Sequence, residues 1–210
     1  MHSTNEWFYF TEGLDKKTCD KIINSAQGKW KESVVNTKKN TTDEERITGE
    51  KLINEIDKNT RISDVAWTTD QWIYDLIWPY MRGANKRSGW KYDITGAEDM
   101  QITRYKEGGF YHFHKDGRSD HLSAYDEPEN EFLHGHVRKL SMTVLLNNNY
   151  EGGEFQFASL SGGKCVINTP EFNKIGSVIV FPSYMEHRVA PVTKGIRYSL
   201  VTWFVGPPFK

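Results

Sequence analysis

Cysteine is scarce in this 210-residue chain: there are two, Cys19 and Cys165. They form no C-x-x-C pair and join no histidine cluster, which excludes a thiolate metal site and a disulfide scaffold. Two reduced thiols are the expectation. Long hydrophobic runs are also missing, and none approaches the ~20 residues a membrane helix needs. The first residues, Met1-His2-Ser3-Thr4-Asn5-Glu6, lack the basic and apolar regions of a signal peptide. A soluble, cytoplasmic protein is therefore expected. Neither sign of charge dominates. With 27 Lys and Arg against 28 Asp and Glu, the net charge is −1, which argues against nucleic acid as the main partner. Internal repeats and low-complexity tracts are absent.

What is present is aromatic. Seven Trp and eleven Phe favour a β-rich body with large packed side chains. The length suits one domain, with residues 1–99 as a helical and strand support packed on a core at 100–210. Residues 7–10 suit a first strand, and Asp15 to Gln27 has helical periodicity ending at Gly28. Residues 29–62 are dense in polar side chains and read as a mobile excursion with short strands. Helical spacing of Trp67, Trp72, Ile73, Leu76, Ile77 and Met81 predicts a second helix over 63–87, capped by Ser63-Asp64 and kinked or broken at Pro79.

From residue 90 the pattern becomes β. Strands are expected at 101–106, 110–114, 140–147, 154–157, 164–167, 177–181 and 196–205, separated by glycine-rich turns such as Gly108-Gly109 and Gly152-Gly153. Residues 117–137 form a polar, acidic loop that hints at a neutral or basic substrate. Several short strands with regular turns suggest a sandwich or barrel.

The organising stretch runs from Tyr105 to Asp116. His114 and Asp116 are two apart, so in extended backbone they point the same way. A bare His-x-Asp is a weak motif, and a surface His beside a turn Asp is the bland alternative. A third ligand is offered by His187, 71 residues on. Two His and one carboxylate leave the far side of a metal open, as in non-haem Fe(II) oxygenases. A lone His after a strand serves structure as readily as metal, but Arg197 follows ten residues later, at a spacing from which a hairpin could return it beneath the metal. On the last strand Arg197, Ser199, Val201 and Trp203 share one face. A buried guanidinium there needs a partner: a buried acid of the protein, or a ligand carboxylate clamped in two-pronged fashion with help from Ser199. His112 shares the parity of His114 and reads as a supporting or surface residue.

The longer patterns are Tyr105-x-x-Gly108-x-x-Tyr111-x-x-His114-x-Asp116, then Leu146-Asn147 and Tyr150-Glu151-Gly152-Gly153-Glu154-Phe155. They continue with Gly176 to Pro182, His187, and Pro191-Val192-Thr193-x-Gly195-x-Arg197-Tyr198-Ser199, ending at Trp203. In these residues the chain resembles the Fe(II)- and 2-oxoglutarate-dependent dioxygenases of the prolyl 4-hydroxylase-like family, over about residues 100–205. The resemblance implies a mainly β, double-stranded β-helix core of jelly-roll type with flanking helices. It implies Fe(II) on His114, Asp116 and His187, and 2-oxoglutarate held by Arg197 with Tyr105 and Ser199 as helpers. Trp203 would wall the pocket, and ascorbate would serve as reductant. Because Asp116 takes a coordination position that a halide would need, hydroxylation is favoured over halogenation. One departure stands out: relatives often carry a tyrosine where this chain has Leu145. The implied reaction is hydroxylation of a prolyl residue in a peptide or protein, with release of succinate and CO2. Two alternatives stay open: the same chemistry on a free amino acid or other small molecule, and a non-catalytic β-sandwich used for binding.

Overall fold

The computed structural model describes residues 6–33, 35–37, 53–55, 58–117 and 122–209. The N-terminal part supplies β1 (Phe8–Phe10), α1 (Lys16–Ser25), β2 (Lys31–Glu32), β3 (Val35–Thr37), β4 (Ile53–Glu55), β5 (Arg61–Ile62), β6 (Asp64–Thr68) and α2 (Gln71–Arg87). Next come β7 (Gly96–Ala97), β8 (Met100–Tyr105), β9 (Phe110–His114), β10 (Val137–Leu145), β11 (Tyr150–Gly152) and β12 (Phe155–Ser161). The chain ends with β13 (Lys164–Asn168), β14 (Val178–Pro182), β15 (His187–Val189), β16 (Val192–Gly195) and β17 (Arg197–Gly206).

Two antiparallel sheets face each other as a double-stranded β-helix. The larger runs β1-β14-β10-β17-β8-β6-β2, with β7 beside β17; the smaller runs β13-β12-β15-β9-β5. Strand alternation gives the larger sheet two different faces. On β10, Leu140, Met142 and Val144 turn outward to pack with Ile22 of α1 and Ile73, Ile77, Met81 and Ala84 of α2. Leu145 turns inward to a second cluster with Tyr105, Phe155, Phe157, Ile179, Phe181 and Val189. The second cluster fills the space between the sheets, and it is there that the charged residues of interest also point.

Helix α1 begins where Asp15 accepts a hydrogen bond from the Thr18 amide at 2.6 Å, a side-chain N-cap. The expected helix over 63–87 is corrected at its start. Residues 64–68 form β6, which pairs with β8 from Asp64↔Arg104 to Thr68↔Met100. Val65, Trp67 and Thr68 favour a pleated surface, and the Arg104–Asp64 ion pair at 2.7 Å holds the register. Ser63 caps nothing; its hydroxyl accepts from Arg61 and donates to Ser33. Helix α2 starts after Asp70 and continues through Pro79. Pro79 and Asp75, the residue four before it, both lie on the exposed side, where water can satisfy the carbonyl that loses its N–H partner. Gly108-Gly109 does turn the chain, but it passes β8 of one sheet to β9 of the other rather than closing a hairpin. Likewise β15 and β17 lie in different sheets, joined through β16, so no hairpin links His187 to Arg197. The excursion at 29–62 contains β2, β3, β4 and β5; residues 34, 38–52 and 56–57 lie outside the described residues, as do 118–121 of the acidic loop. Cys19 is buried and Cys165 exposed, both as free thiols. Among the described residues no helix is long and apolar enough to cross a membrane.

Gly176 ties the N-terminal segment to the sheet. Its carbonyl accepts from the Leu14 amide and its own amide donates to Leu145. It has φ +75°, and a Cβ there would run into the Leu14 carbonyl. Gly176→Ala should therefore lower unfolding stability by at least about 2 kcal/mol. Urea denaturation measures this, and an unchanged midpoint would show that the segment yields freely.

Candidate metal centre and anion pocket

Strand β9 ends at His114, and Asp116 follows as the chain leaves it. The Asp116 amide donates to the Ser183 carbonyl at 2.9 Å, which fixes that exit. His187 opens β15 and lies directly opposite His114 in the register of β15 and β9. The three ligand atoms therefore converge, all within 4.8 Å of one another. His114 Nε2 is 3.7 Å from one Asp116 oxygen, and His187 Nε2 is 3.6 Å from the other. Asp116 and His187 are 7% and 5% exposed.

Hydrogen bonds settle the tautomers. His114 Nδ1 stands 2.8 Å from the His112 carbonyl and His187 Nδ1 2.9 Å from the Met185 carbonyl. A carbonyl oxygen only accepts, so each Nδ1 carries the proton and each Nε2 presents its lone pair to the shared point. Ser141 donates to Asp116 at 2.7 Å and is itself 2.9 Å from the Ser183 hydroxyl. Burial pushes Asp116 upward, but His187, His114, Arg138 and the Ser141 hydroxyl outweigh it and hold the carboxyl below its ordinary value. Burial, then the facing His187, lower His114 to about 3. Two imidazoles whose Nε2 atoms face the shared point and one carboxylate are a donor set that suits Fe(II).

Arg197 lies in the same space between the sheets, on β17 opposite Tyr105 of β8. It is 1% exposed. One nitrogen donates to Ser199 at 3.1 Å, its Nε–H has no partner, and no acid of the described residues pairs with it. Its guanidinium stands 5.6 Å from the centre of the Tyr105 ring. Gly153 makes room for it: a Cβ there would come within 3.0 Å of the Arg197 side chain. Of the two partners open to this arginine, the buried protein acid is absent among the described residues. A cationic fork with a spare donor fits a ligand carboxylate.

A model of the 2OG-Fe(II) oxygenase superfamily matches residues 100–205. The chain belongs to that superfamily. A PKHD-type hydroxylase of Xylella fastidiosa strain M12 is 35% identical over 105 residues, 49% of this chain and 42% of that relative. The chain thus spans under half the length of that relative. The viral collagen prolyl hydroxylase of Paramecium bursaria Chlorella virus-1, solved with 2OG, shares the fold with a TM-score of 0.63 at 19% identity, covering 98% of this chain and 99% of that one. A prolyl hydroxylase of Trichoplax adhaerens, solved with a hypoxia inducible factor peptide, has a TM-score of 0.65 at 16% identity over 96% and 84% of the two chains.

Several residues around this candidate site escaped sequence reading. Strand alternation puts Ser141 on the same inward face of β10 as Leu145, so its direction was readable and its partner was not. Arg138 binds Glu98 through two bonds of 2.7 and 2.6 Å, and Tyr125 donates to the same carboxylate at 3.0 Å. The Arg138 guanidinium lies 4.1 Å from the Trp203 ring, whose Nε1–H is buried without a partner. Trp203 faces Ser141 across β17 and β10, so it stands at the Asp116 end of the cavity, six residues from Arg197. His112 is exposed and contributes its carbonyl rather than its ring.

Without a bound metal the chain should lose stability in mild acid. His114 is neutral when folded down to about 3 and titrates near its ordinary 6.5 when unfolded. Between those values the unfolded chain binds more protons, so stability falls as pH drops from 6.5 toward 3. Asp116 adds a loss only below its ordinary value of 3.8. Thermal midpoints of metal-free protein should fall between pH ~6.5 and ~4.5, and His114→Gln should flatten that slope. An equal slope in the variant would remove His114 as its source.

Proposed function

We propose that the chain is an Fe(II)- and 2-oxoglutarate-dependent hydroxylase acting on a prolyl residue in a peptide or protein. The reading rests on one observation: a buried His–Asp–His cluster shares the space between the sheets with a buried arginine that has no acid partner among the described residues. His114, Asp116 and His187 would hold the iron. Arg197 would bind the far carboxylate of 2-oxoglutarate, with Ser199 and Tyr105 beside it. Residues 100–210 form the catalytic core on this reading, residues 1–99 support it, and ascorbate keeps the metal ferrous in a cytoplasmic enzyme.

When bound, the metal and 2-oxoglutarate supply the oxidising power, O2 being consumed, succinate and CO2 released, and one oxygen atom left on the substrate carbon. The protein's part is placement. Ser141 keeps Asp116 ionised and aimed. The two backbone carbonyls hold both imidazoles in the ligand tautomer. The apolar cluster of Tyr105, Leu145, Phe155, Phe181 and Val189 keeps water from the arginine end. Trp203 and Arg138 flank the other end, where a substrate side chain would enter. A peptide substrate is supported by the prolyl hydroxylases among the fold neighbours and by the peptide bound to the Trichoplax enzyme.

His114→Ala, Asp116→Ala and His187→Ala should each abolish binding of one Fe(II) or its Co(II) substitute. Arg197→Ala should spare metal binding. A buried charge-assisted pair broken on one side costs about 3–5 kcal/mol. The 2-oxoglutarate needed for half-maximal succinate release should therefore rise about two to three orders of magnitude, at ~1.4 kcal/mol per tenfold. Peptide mass should show the gain of one oxygen atom on a prolyl peptide. Unchanged 2-oxoglutarate dependence in Arg197→Ala would sink the clamp. Succinate release without oxidation of any prolyl peptide would discard the peptide and keep the oxygenase.

A further inference from the structure

The two imidazoles of the cluster are held in different ways. His187 is caged: Phe181, Phe155 and Phe157 have ring centres 4.7, 5.5 and 6.4 Å from it. Among the described residues His114 has no such cage. Its Nδ1 bond to the His112 carbonyl limits one rotation of the ring and leaves its tilt open. Apart from the His187 ring at 4.3 Å, what lies against it is Tyr111, whose ring is stacked on the imidazole at 3.6 Å with 17° between planes.

Tyr111 in turn contacts a second buried arginine. The Arg61 guanidinium is 4.6 Å from the Tyr111 ring centre, and the two residues are direct partners across β5 and β9. Arg61 is 7% exposed. Its Nε donates to Ser63 at 2.8 Å and its Nη2 to Gln101 at 2.8 Å. Those acceptors are anchored as well: the Ser63 hydroxyl donates to Ser33 at 3.0 Å, and Thr103 donates to Gln101 at 3.2 Å. No acid of the described residues pairs with Arg61. Burying an unpaired cation is costly. Here neutral oxygens and an aromatic ring compensate it, and a flat guanidinium suits an aromatic ring better than an ammonium does.

We propose that Arg61 is a positioning residue for the metal centre, which fixes Tyr111 against His114 and so sets the tilt of that imidazole. The inference rests on the reading of His114 as a metal ligand. The stack replaces on the β9 side what the phenylalanine cage provides on the β15 side. It places the contribution of Tyr111 in its ring and not in its hydroxyl. It also gives β5, a two-residue strand from the N-terminal part of the chain, a task at the centre of the site. Supporting contacts of this kind matter to metal affinity by about tenfold to a hundredfold.

The test uses the full chain with Arg61→Met, Arg61→Gln, Tyr111→Leu and Tyr111→Phe, each checked by thermal melting. Two quantities are read: the ring-nitrogen NMR signals of His114 without metal, and Co(II) affinity from its visible absorption. Arg61→Met and Tyr111→Leu should each shift the His114 signals and weaken Co(II) binding at least about tenfold. The double variant should be no weaker than either alone, because both remove one stack. Tyr111→Phe should bind as the parent does. Should Arg61→Met not fold, Arg61→Gln and Tyr111→Leu carry the same expectation. Parental His114 signals and Co(II) affinity in the folded Arg61 variants would overturn the proposal, as would a Tyr111→Phe protein as weak as Tyr111→Leu. A parent chain that binds no Co(II) would remove the metal reading itself. The His114 signals would still decide whether the stack orients the ring.

Discussion

Two buried ions of opposite sign open on the same gap between the sheets, and they do not meet. Asp116 is turned to His114, His187 and Ser141, while Arg197 is turned to Ser199 and Tyr105. A fold built only for stability would pair such charges or replace them with apolar groups, since burial costs each of them its hydration. Keeping them apart leaves the carboxylate free for a cation and the guanidinium free for an anion. The rest of the architecture serves this separation. The larger sheet carries both ions on its inner side or against it, and its outer side rests on α1 and α2.

That arrangement depends on β10 and β17 having two unlike faces, and this is why so much of it was legible. Alternation alone separates Met142 and Val144 from Ser141 and Leu145, and Leu200 and Phe204 from Arg197, Ser199 and Trp203. The same rule puts His114 and Asp116 on one side of the chain. His187 needed the spacing to Arg197 as a second clue. The actual link is not the expected hairpin but a crossover through β16, which reaches the same result by changing sheets.

What sequence could not show is who meets whom across long separations. Ser141 is 25 residues from Asp116, Arg138 is 40 from Glu98, and Arg61 is 40 from Gln101. Each of these residues is unremarkable in its own segment, because Arg, Glu and Ser commonly face solvent. The misread of residues 63–68 has a different origin. Trp67 lies five and six residues before Trp72 and Ile73, off their helical face and across a real boundary at Asp70. Pairing of β6 with β8 then overrides local propensity, as burial in a sheet commonly does.

Leu145 shows how the pieces constrain one another. It is fully buried, lies opposite Ser199, and packs with Tyr105, Phe181 and Val189 beside the arginine end of the gap. An apolar side chain at this position offers an incoming carboxylate no hydrogen bond. The donors available there are the Arg197 fork and the hydroxyls of Ser199 and Tyr105. With fewer neutral donors to share the load, the proposed hold on 2-oxoglutarate depends more heavily on the guanidinium and on its exclusion from water. That no acid of the described residues pairs with Arg197 then has a purpose. A protein carboxylate nearby would compete for the same fork, and a wetter pocket would weaken the charge-assisted bond on which binding rests.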